Sequence, residues 1–446
     1  MPITINRKFT FGVAMFFHSF IIIAQYTITG GGSNCPLLAL DDTPNRLQIW
    51  LVYGTENTSL EYASNSSSHT WKRYRTKALE AETLTGAEQA GTTSTLHGIE
   101  EGYGYFVEEE GLLPRYIWII DYSRYAFSIQ SLSILNNGDP CNELLLDGEL
   151  TNPPLFYYTP LGLQRELKRS FEITFNTMEW SAENKLFTQK TITKTIEGNP
   201  LGQSLTPPLC DTEITLSGDM FARHFNIENT MRTETFQAIA IEAHIDTIVT
   251  NMAGPNMIDG KSTGYSGPLY IQFRPLANEP AANWYRWTIC HSAKAEKKDT
   301  IRASTVREMD YTFNNSGNYT IILEVSDRTR RCSRTDSISI TISESYLSVP
   351  NAFTPGVSPG VNDIFKVAYK SLIHFKGWIF NRWGTELFQW TDPAQGWDGK
   401  KNGKYVPPGV YFYIIEAQGS DGKNYLEKGH INIIRSKNVH TQITEQ

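Results

Sequence analysis

One stretch of the 446-residue sequence has the spacing of a hydrolase nucleophile. Residues 356–360 read Gly-Val-Ser-Pro-Gly and match the G-x-S-x-G pattern, in which a strand-to-helix turn exposes a strained serine. A β-like segment follows this stretch, so Ser358 lacks the helix that the motif requires. The nine histidines are scattered, and the patterns of metalloproteases, P-loops and EF-hands are absent. We therefore predict no catalytic residue and no cofactor, while carboxylates that pair only in space stay an open alternative.

A second segment offers oxygen atoms that could surround a cation. Asp392, Asp398 and Asn402 lie close together in the sequence. Their spacing differs from that of an EF-hand loop. We interpret the segment as a solvated turn and predict no metal ligand.

The cysteines indicate disulfide chemistry rather than metal binding. The five are widely spaced and contain no C-x-x-C pair, which argues against a zinc site. An odd number leaves at least one thiol without an intramolecular partner. We predict a bridge between Cys290 and Cys332, because both fall in one predicted domain. The alternative is that both are reduced and lie apart. The cysteines are Cys35, Cys141, Cys210, Cys290 and Cys332.

The composition describes a folded, mildly acidic protein. Hydrophobic residues make up 40% of the chain, enough for several small cores, and the formal net charge is −7. Basic residues form no run of the kind that selects a polyanionic backbone. Nucleic acid is therefore not an expected partner.

The first 24 residues have the composition of a signal peptide. Arg7 and Lys8 precede an apolar stretch that runs from Phe9 to Ile23, and Ala24 offers a small residue at the cleavage point. The alternative is a short membrane anchor, but the apolar stretch is shorter than the ~20 residues that a bilayer span needs. No later stretch is long enough either. We expect export and no transmembrane span in the mature chain.

The rest of the sequence has the period of β-strands. Apolar residues alternate with polar ones in Tyr319–Val325 and in Ile338–Ile342, which places one set of side chains on a buried face. Only Lys77–Gln89 could form a short helix, and the Thr-Gly-Ala sequence within it breaks that helix. The fold class that these patterns predict is all-β, a tandem of Ig-like β-sandwich domains. Other predicted strands are Leu47–Tyr53, Tyr116–Asp121, Phe127–Ile134, Phe171–Phe175, Glu213–Ser217 and Leu269–Phe273.

Turn-rich segments divide the chain into units. The tyrosine-rich stretch Gly102–Phe106 in the first unit is either a binding surface or ordinary strand packing, and we favour packing. The predicted units are a signal peptide (1–24), a β-rich N-terminal domain (25–135), a second β-rich domain (136–232), an Ig-like domain (233–344), a C-terminal domain (346–435) and a polar tail (436–446).

Four segments of the Ig-like unit form a pattern: Ser266–Phe273, Trp284–Trp287, Tyr311–Phe313 and Gly317–Val325. This pattern resembles a polycystic-kidney-disease-type (PKD) module. In that pattern a tryptophan anchors the core between two sheets. The module is a spacer or binding domain in surface proteins, and the resemblance implies no chemistry.

Six ordered motifs cover the last ninety or so residues. Their positions are Pro350, Asn351, Phe353, Thr354, Pro355, Asn362, Asp363, Asn381, Arg382, Trp383, Gly384, Gly396, Trp397, Asp398, Gly399, Gly409, Tyr411, Tyr413, Gly429 and Arg435. In this order and spacing they are similar to the gliding-motility-associated C-terminal domain, also called the type B sorting domain, of Bacteroidetes. One departure is that the loop at residues 356–360 lacks the carboxylate usual in the family, although Asn362 and Asp363 remain.

Most of these positions are expected to determine the fold. Gly384, Gly399 and Gly409 stand where strands begin or end, as turns require. We expect both Trp383 and Trp397 to lie against the sandwich core.

The resemblance implies that the domain is an address for the type IX secretion machinery and its outer-membrane receptor. The expected location is the cell surface or the extracellular space. The favoured function is a non-catalytic surface protein whose N-terminal domains bind a glycan or a protein. The alternatives are an accessory or shuttle protein of the secretion and attachment machinery, and an unrecognised surface enzyme.

Overall fold

The computed structural model describes residues 25–30, 35–135, 138–250, 257–258, 264–292, 299–357 and 360–435. Strands account for 55% of the structure and helices for 4%, which confirms the all-β prediction. Among the described residues, no helix has the length and apolar character that crossing a membrane requires. The predicted signal peptide, the polar tail and Ser358 lie outside the described residues.

The first unit packs a four-stranded sheet (β1-β4-β8-β7) on a six-stranded sheet (β2-β3-β10-β9-β5-β6). Tyr105 and Phe106 are buried, so the tyrosine-rich stretch packs inside the unit. The short helix considered for Lys77–Gln89 does not form: one 3₁₀ turn, Ala78–Glu80, and two short strands occupy the stretch. The strands are β1 (Gln25–Thr29), β2 (Leu37–Asp42), β3 (Leu47–Val52), β4 (Ser59–Ala63), β5 (Thr70–Tyr74), β6 (Glu82–Thr83), β7 (Glu88–Ala90), β8 (Thr93–His97), β9 (Gly104–Glu108) and β10 (Tyr116–Asp121), with 3₁₀ turns also at Thr43–Asn45 and Tyr122–Arg124.

The second unit begins with a hairpin that spans the boundary predicted at residues 135 and 136, and its longest element is the hairpin β15–β16. Its apolar side chains also cover the outer face of the six-stranded sheet, where Leu155, Tyr157 and Phe221 join the core of the first unit. The elements are β11 (Ser128–Leu135), β12 (Leu145–Thr151), β13 (Leu155–Tyr158), β14 (Gln164–Leu167), β15 (Ser170–Ser181), β16 (Leu186–Glu197), β17 (Thr215–Gly218), α1 (Met220–His224) and β18 (Asn229–Arg232).

The third unit is a sandwich of a three-stranded sheet (β19-β20-β23) and a four-stranded sheet (β22-β21-β24-β25). Trp287 lies fully buried between the sheets, and its indole N–H donates to the carbonyl of Arg307 at 3.0 Å. The strands are β19 (Ala243–Thr250), β20 (Leu269–Ala277), β21 (Trp284–His291), β22 (Asp299–Ser304), β23 (Met309–Phe313), β24 (Gly317–Ser326) and β25 (Ser333–Ile342).

The fourth unit has its own core beneath a five-stranded sheet (β27-β34-β33-β29-β30). A short backbone bridge joins Phe365 to Trp397 and closes the core from the other side. The strands are β26 (Tyr346–Ser348), β27 (Ala352–Phe353), β28 (Ala368–Lys370), β29 (Leu372–Phe380), β30 (Glu386–Trp390), β31 (Lys400–Lys401), β32 (Lys404–Tyr405), β33 (Gly409–Gly419) and β34 (Asn424–Ile433).

The disulfide joins Cys141 to Cys332, with an S–S distance of 2.06 Å and a Cα–Cα distance of 5.3 Å. The predicted Cys290–Cys332 bridge is therefore wrong. Cys290 pairs with Thr320 near the start of β24, whereas Cys332 follows the end of that strand at Ser326. Thr320 and Ser326 are six residues apart on the strand, which at ~3.3 Å per residue separates the positions of Cys290 and Cys332 along the sheet by roughly 20 Å. The bridge instead fastens the second unit to the third.

Hydrogen bonds connect the other units. The buried Asp219 accepts from Tyr122 Oη at 2.7 Å and from Arg169 Nη1 at 2.9 Å, which ties the first unit to the second. Between the third and fourth units, the N–H of Gly267 donates to Ser371 Oγ at 3.1 Å, and the N–H of Ser371 donates to Ser266 Oγ at 2.7 Å. The last domain is thus docked on its neighbour through buried polar contacts.

Candidate functional site

Part of the sorting motif forms the core of the last domain. The ring of Trp397 lies 5.7 Å from that of Phe353 and 5.7 Å from that of Tyr411, between centroids. The indole N–H of Trp397 donates to the carbonyl of Lys400 at 2.9 Å, and Tyr411 Oη donates to the carbonyl of Pro407 at 2.8 Å. Burial raises the pKa of the Tyr411 hydroxyl. The expectation that Trp397 packs in the core is confirmed.

Two motif glycines make room for this packing. Gly399 has a φ of +76°, and a Cβ there would lie 2.8 Å from Cγ of Pro355. At Gly429 a Cβ would lie 2.5 Å from the hydroxyl oxygen of Tyr413. A larger residue would displace the ring or the backbone at either position. These positions determine the fold rather than a chemical reaction.

The motif carboxylate Asp363 closes the loop that precedes it. Its Oδ1 accepts from the N–H of Gly356 at 3.1 Å, and its Oδ2 accepts from the N–H of Gly360 at 2.7 Å. Asn362 has a φ of +54°, and its backbone carbonyl accepts from the N–H of Thr354 at 2.8 Å. The carboxylate therefore binds backbone N–H groups of the loop.

The suggested cation segment divides into separate turns. Asp392 accepts from the N–H of Ala394 at 2.9 Å, and Asp398 accepts from the N–H of Lys400 at 3.0 Å. Nζ of Lys400 also lies 3.2 Å from Asp398 Oδ2, and this contact raises the pKa of the lysine. Within the described ranges, no cluster of three His, Cys, Asp or Glu side chains could hold a metal ion.

The last motif residue, Arg435, contacts the segment that leads into β33. The guanidinium of Arg435 donates to the carbonyl of Val406 and lies 4.9 Å from the ring centroid of Tyr405. The nearby Gly409 has a φ of +147° and begins β33. Arg435 thus fixes the segment between β32 and β33.

The second part of the motif is an exposed turn. Asn381 Oδ1 accepts from the N–H of Trp383 at 3.0 Å and from the N–H of Thr385 at 2.9 Å. Gly384 completes the turn with a φ of +79°. Trp383 is 77% exposed, so the expectation that it lies against the core is wrong. The turn has its own internal hydrogen bonds and holds the indole in solvent, with the Arg382 guanidinium 4.9 Å from its centroid.

An apolar band continues from this turn onto the outer face of the sheet. Phe380 on β29 pairs with Phe412 on β33, and Val410 lies two residues before Phe412 on the same strand. Their neighbours Ile379 and Tyr411 point inward, so these three side chains point outward. Phe412 and Val410 are exposed. We call Phe380, Trp383, Val410 and Phe412 the hairpin-end patch.

Sequence reasoning did not single out Phe380, Val410 or Phe412, although they stand beside motif residues. The period-two alternation of residues 410–413 contained the signal: two tyrosines on one face and two apolar residues on the other. An apolar outer face on a terminal domain is a feature of interaction surfaces.

A large cavity lies between the second and third units. It has a volume of about 700 Å³ and is lined by Trp180, whose ring stacks on His244 with 4.4 Å between centroids. Two pairs of its ionisable side chains are in contact: Lys190 with Glu179 at 2.6 Å, and His244 with Glu242 at 3.1 Å. The stacked aromatic pair thus lies beside these two charged or polar pairs.

Residues 347–433 match the family model of the type IX secretion signal domain, and residues 133–233 match that of the fibronectin type III domain. The last domain is therefore a type IX secretion signal domain, preceded by an Ig-like sandwich, as the sequence predicted. Such a domain implies export by the type IX system to the surface or the extracellular space. The PKD assignment of the third unit stays a prediction.

Similarities to solved structures are remote. The crystal structure of dimeric latent PorU from Porphyromonas gingivalis is 11% identical with a TM-score of 0.15, over 72% of this chain and 35% of that one, so this chain spans about a third of PorU. The BSP domain of a biofilm associated protein is 10% identical with a TM-score of 0.17, over 93% of this chain and 96% of that one. No curated protein matches the chain.

Proposed function

We propose that this chain is a non-catalytic surface protein, displayed outside the outer membrane, whose N-terminal β-domains bind a glycan or a protein. The observation that carries the export step is the secretion signal domain at residues 347–433. The domain has a complete core of its own, built from the motif residues Phe353, Trp397 and Tyr411. An address that folds as a unit can present a defined surface to a receptor.

The surface that we assign to the receptor is the hairpin-end patch. Trp383 has no role in the core, yet its turn is fixed by two hydrogen bonds to Asn381 Oδ1. An exposed tryptophan on a turn with fixed hydrogen bonds, at the end of the strand whose Phe380 pairs with Phe412, is the kind of side chain that often contributes much of the binding energy of a protein–protein interface. Its partner would be the outer-membrane receptor for sorting domains.

The binding role is supported by how the N-terminal domains are joined. Tyr122, Arg169 and Asp219 connect the first and second units, and the Cys141–Cys332 bond connects the second and third. Sandwiches held in a fixed relation can offer composite surfaces. An accessory or shuttle role in the secretion machinery is the second candidate, because a signal domain would occur in both.

A deletion in the native host separates the two candidates. Loss of the whole gene should leave the export of other type IX cargo unchanged if the protein is cargo, and should block it if the protein is an accessory. A chain truncated before Tyr346 should accumulate in the periplasm. Surface display of the truncated chain at normal levels would contradict the proposed export route.

A further inference from the structure

Two arginines and a tryptophan line an open groove on the outer face of the third unit. The groove has a volume of about 560 Å³ and lies where β21 begins, beside the turn that joins β24 to β25. Trp284 and Arg286 alternate along β21 with the buried Tyr285 and Trp287, so both point outward. Arg330 reaches the groove from the turn, and its Cζ lies 4.6 Å from the centroid of the Trp284 ring. Two cationic side chains thus share one accessible concave surface, which we call the Trp284 groove.

The turn that carries Arg330 has a fixed backbone. Oδ2 of the buried Asp327 accepts from the N–H of Thr329 at 2.7 Å, and its Oδ1 accepts from the N–H of Cys332 at 2.7 Å. The N–H of Arg330 donates to the carbonyl of Asp327 at 3.0 Å, and Arg330 has a φ of +58°. The bond between Cys332 and Cys141 anchors the end of the turn. The guanidinium therefore extends from a preorganised backbone, which lowers the entropy lost on binding a ligand.

The positive charge of the groove has no acidic partner in the described part of the chain. Arg286 and Arg330 are exposed and form no ion pair with the described residues, and no residue that lines the groove is acidic. Asp327, the one carboxylate of the turn, accepts from backbone N–H groups. Glu324 is the cross-strand neighbour of Arg286, yet the two side chains do not pair. Two unpaired cations in one groove favour an anionic ligand.

We propose that the Trp284 groove binds an anionic sugar unit of an acidic polysaccharide. A guanidinium donates two parallel hydrogen bonds to a carboxylate or to a sulfate ester, so these two groups share the chemistry that the arginines recognise. The hydroxyl groups of Ser304 and Thr305 line the same groove and can pair with the hydroxyls of a sugar ring. The volume lies within the range of small-molecule sites. The inference deepens the proposed binding function and rests on it, since it assigns a negative charge to the glycan.

Isothermal titration calorimetry on the oxidised chain, residues 25–446, tests this site. The probes are hexagalacturonate, which carries carboxylates, and a dextran sulfate oligomer, which carries sulfate esters. The methyl ester of hexagalacturonate is the matched ligand control, because it keeps the sugar chain and lacks the charge. We expect at least one anionic probe to bind, the ester not to bind, and the affinity to fall as the salt concentration rises. A preference between the two anionic probes would identify the anionic group.

Two substitutions locate the binding in the groove. Arg286→Gln and Arg330→Asn should each weaken binding of the anionic probe about threefold to tenfold. Asparagine is chosen at position 330 because it tolerates a positive φ. The matched control is Arg274→Gln, which removes an exposed charge from the other sheet of the same unit and should bind as the parent does.

Three outcomes would overturn the proposal. The first is that neither anionic probe binds. The second is that the methyl ester binds as tightly as the acid, which would show that charge is not recognised. The third is that Arg286→Gln and Arg330→Asn bind as tightly as Arg274→Gln, which would place the anion elsewhere. Export is measured separately by surface display, so a chain that reaches the surface and binds only a neutral glycan would refute this inference and leave the proposed function intact.

Discussion

Cys141 and Cys332 lie 191 residues apart in the sequence, yet their Cα atoms are 5.3 Å apart. Cys141 belongs to the turn after β11, and Cys332 belongs to the turn between β24 and β25. The bond therefore links the second unit covalently to the third and does not crosslink a single unit. It leaves Cys35, Cys210 and Cys290 as free thiols.

Removing this bond should loosen the second unit from the third. We expect Cys141→Ser to lower the free energy of unfolding by about 2–5 kcal/mol, because the crosslink restricts the unfolded chain. Chemical denaturation of the oxidised chain, residues 25–446, measures it, and Cys35→Ser, which removes an exposed free thiol, is the control. Peptide mapping without reductant that recovers Cys332 linked to Cys290 would contradict the assignment.

Asp327, in the turn that contains Cys332, should make the free energy of unfolding depend on pH. Burial raises the pKa of the Asp327 carboxyl, but hydrogen bonds from Thr329 and from the N–H of Cys332 outweigh burial, and the net pKa is lowered. The folded state therefore favours the ionised form. This contribution is present above the ordinary aspartate pKa of ~3.9 and is lost as the pH falls through the lower folded value.

Asp327→Asn tests this dependence. The variant cannot ionise, so its thermal midpoint should fall less steeply than that of the parent between about pH 5 and pH 2. Asp310→Asn, which removes an exposed carboxylate of the same unit, is the control variant. Equal slopes for the parent and Asp327→Asn would show that the carboxylate makes no pH-dependent contribution.

The two tryptophans of the sorting motif should differ in their effect on stability. Trp397 is fully buried, and Trp397→Ala should lower the free energy of unfolding by about 3–5 kcal/mol. Trp383 is exposed, and Trp383→Ala should change it by less than about 0.5 kcal/mol. Urea denaturation of the two variants is the measurement. Similar losses for both would mean that the Asn381–Gly384 turn folds against the core.

Export should depend on Trp383 although stability does not. We expect Trp383→Ala to reduce the surface-exposed fraction of the chain several-fold in the native host, because the receptor loses an exposed aromatic contact. Leu426→Ala removes another exposed apolar side chain of the same sheet, at the far end of β34, and serves as the control. Protease accessibility on intact cells gives the fraction. Normal display of the Trp383 variant would remove the hairpin-end patch from the proposal.

Strand positions could be predicted from the sequence because burial on one face imposes a period of two. Tyr319–Val325 and Ile338–Ile342 alternate in that way, and both lie within the observed strands β24 and β25. Trp383 was predicted wrongly for a physical reason. The sequence Asn-Arg-Trp-Gly encodes a turn, but a turn that satisfies its own backbone can point its side chain in either direction.

Contacts between units could not be predicted from the sequence, for a different reason. The Cys141–Cys332 bond and the Tyr122–Asp219–Arg169 contacts join residues that no local pattern relates. The same holds for Leu155 and Phe221, which cover a sheet of the preceding unit. Period and turn chemistry report local structure, whereas the docking of one sandwich on another depends on side chains brought together only by the complete fold.

The central claim is that the C-terminal domain is the export address. Residues 346–435, fused behind a signal peptide and a fluorescent protein, should bring the reporter to the cell surface in a host with a type IX system. A strain lacking that system should retain the same fusion in the periplasm. If the reporter remains periplasmic while a known sorting domain delivers it in parallel, the account is contradicted.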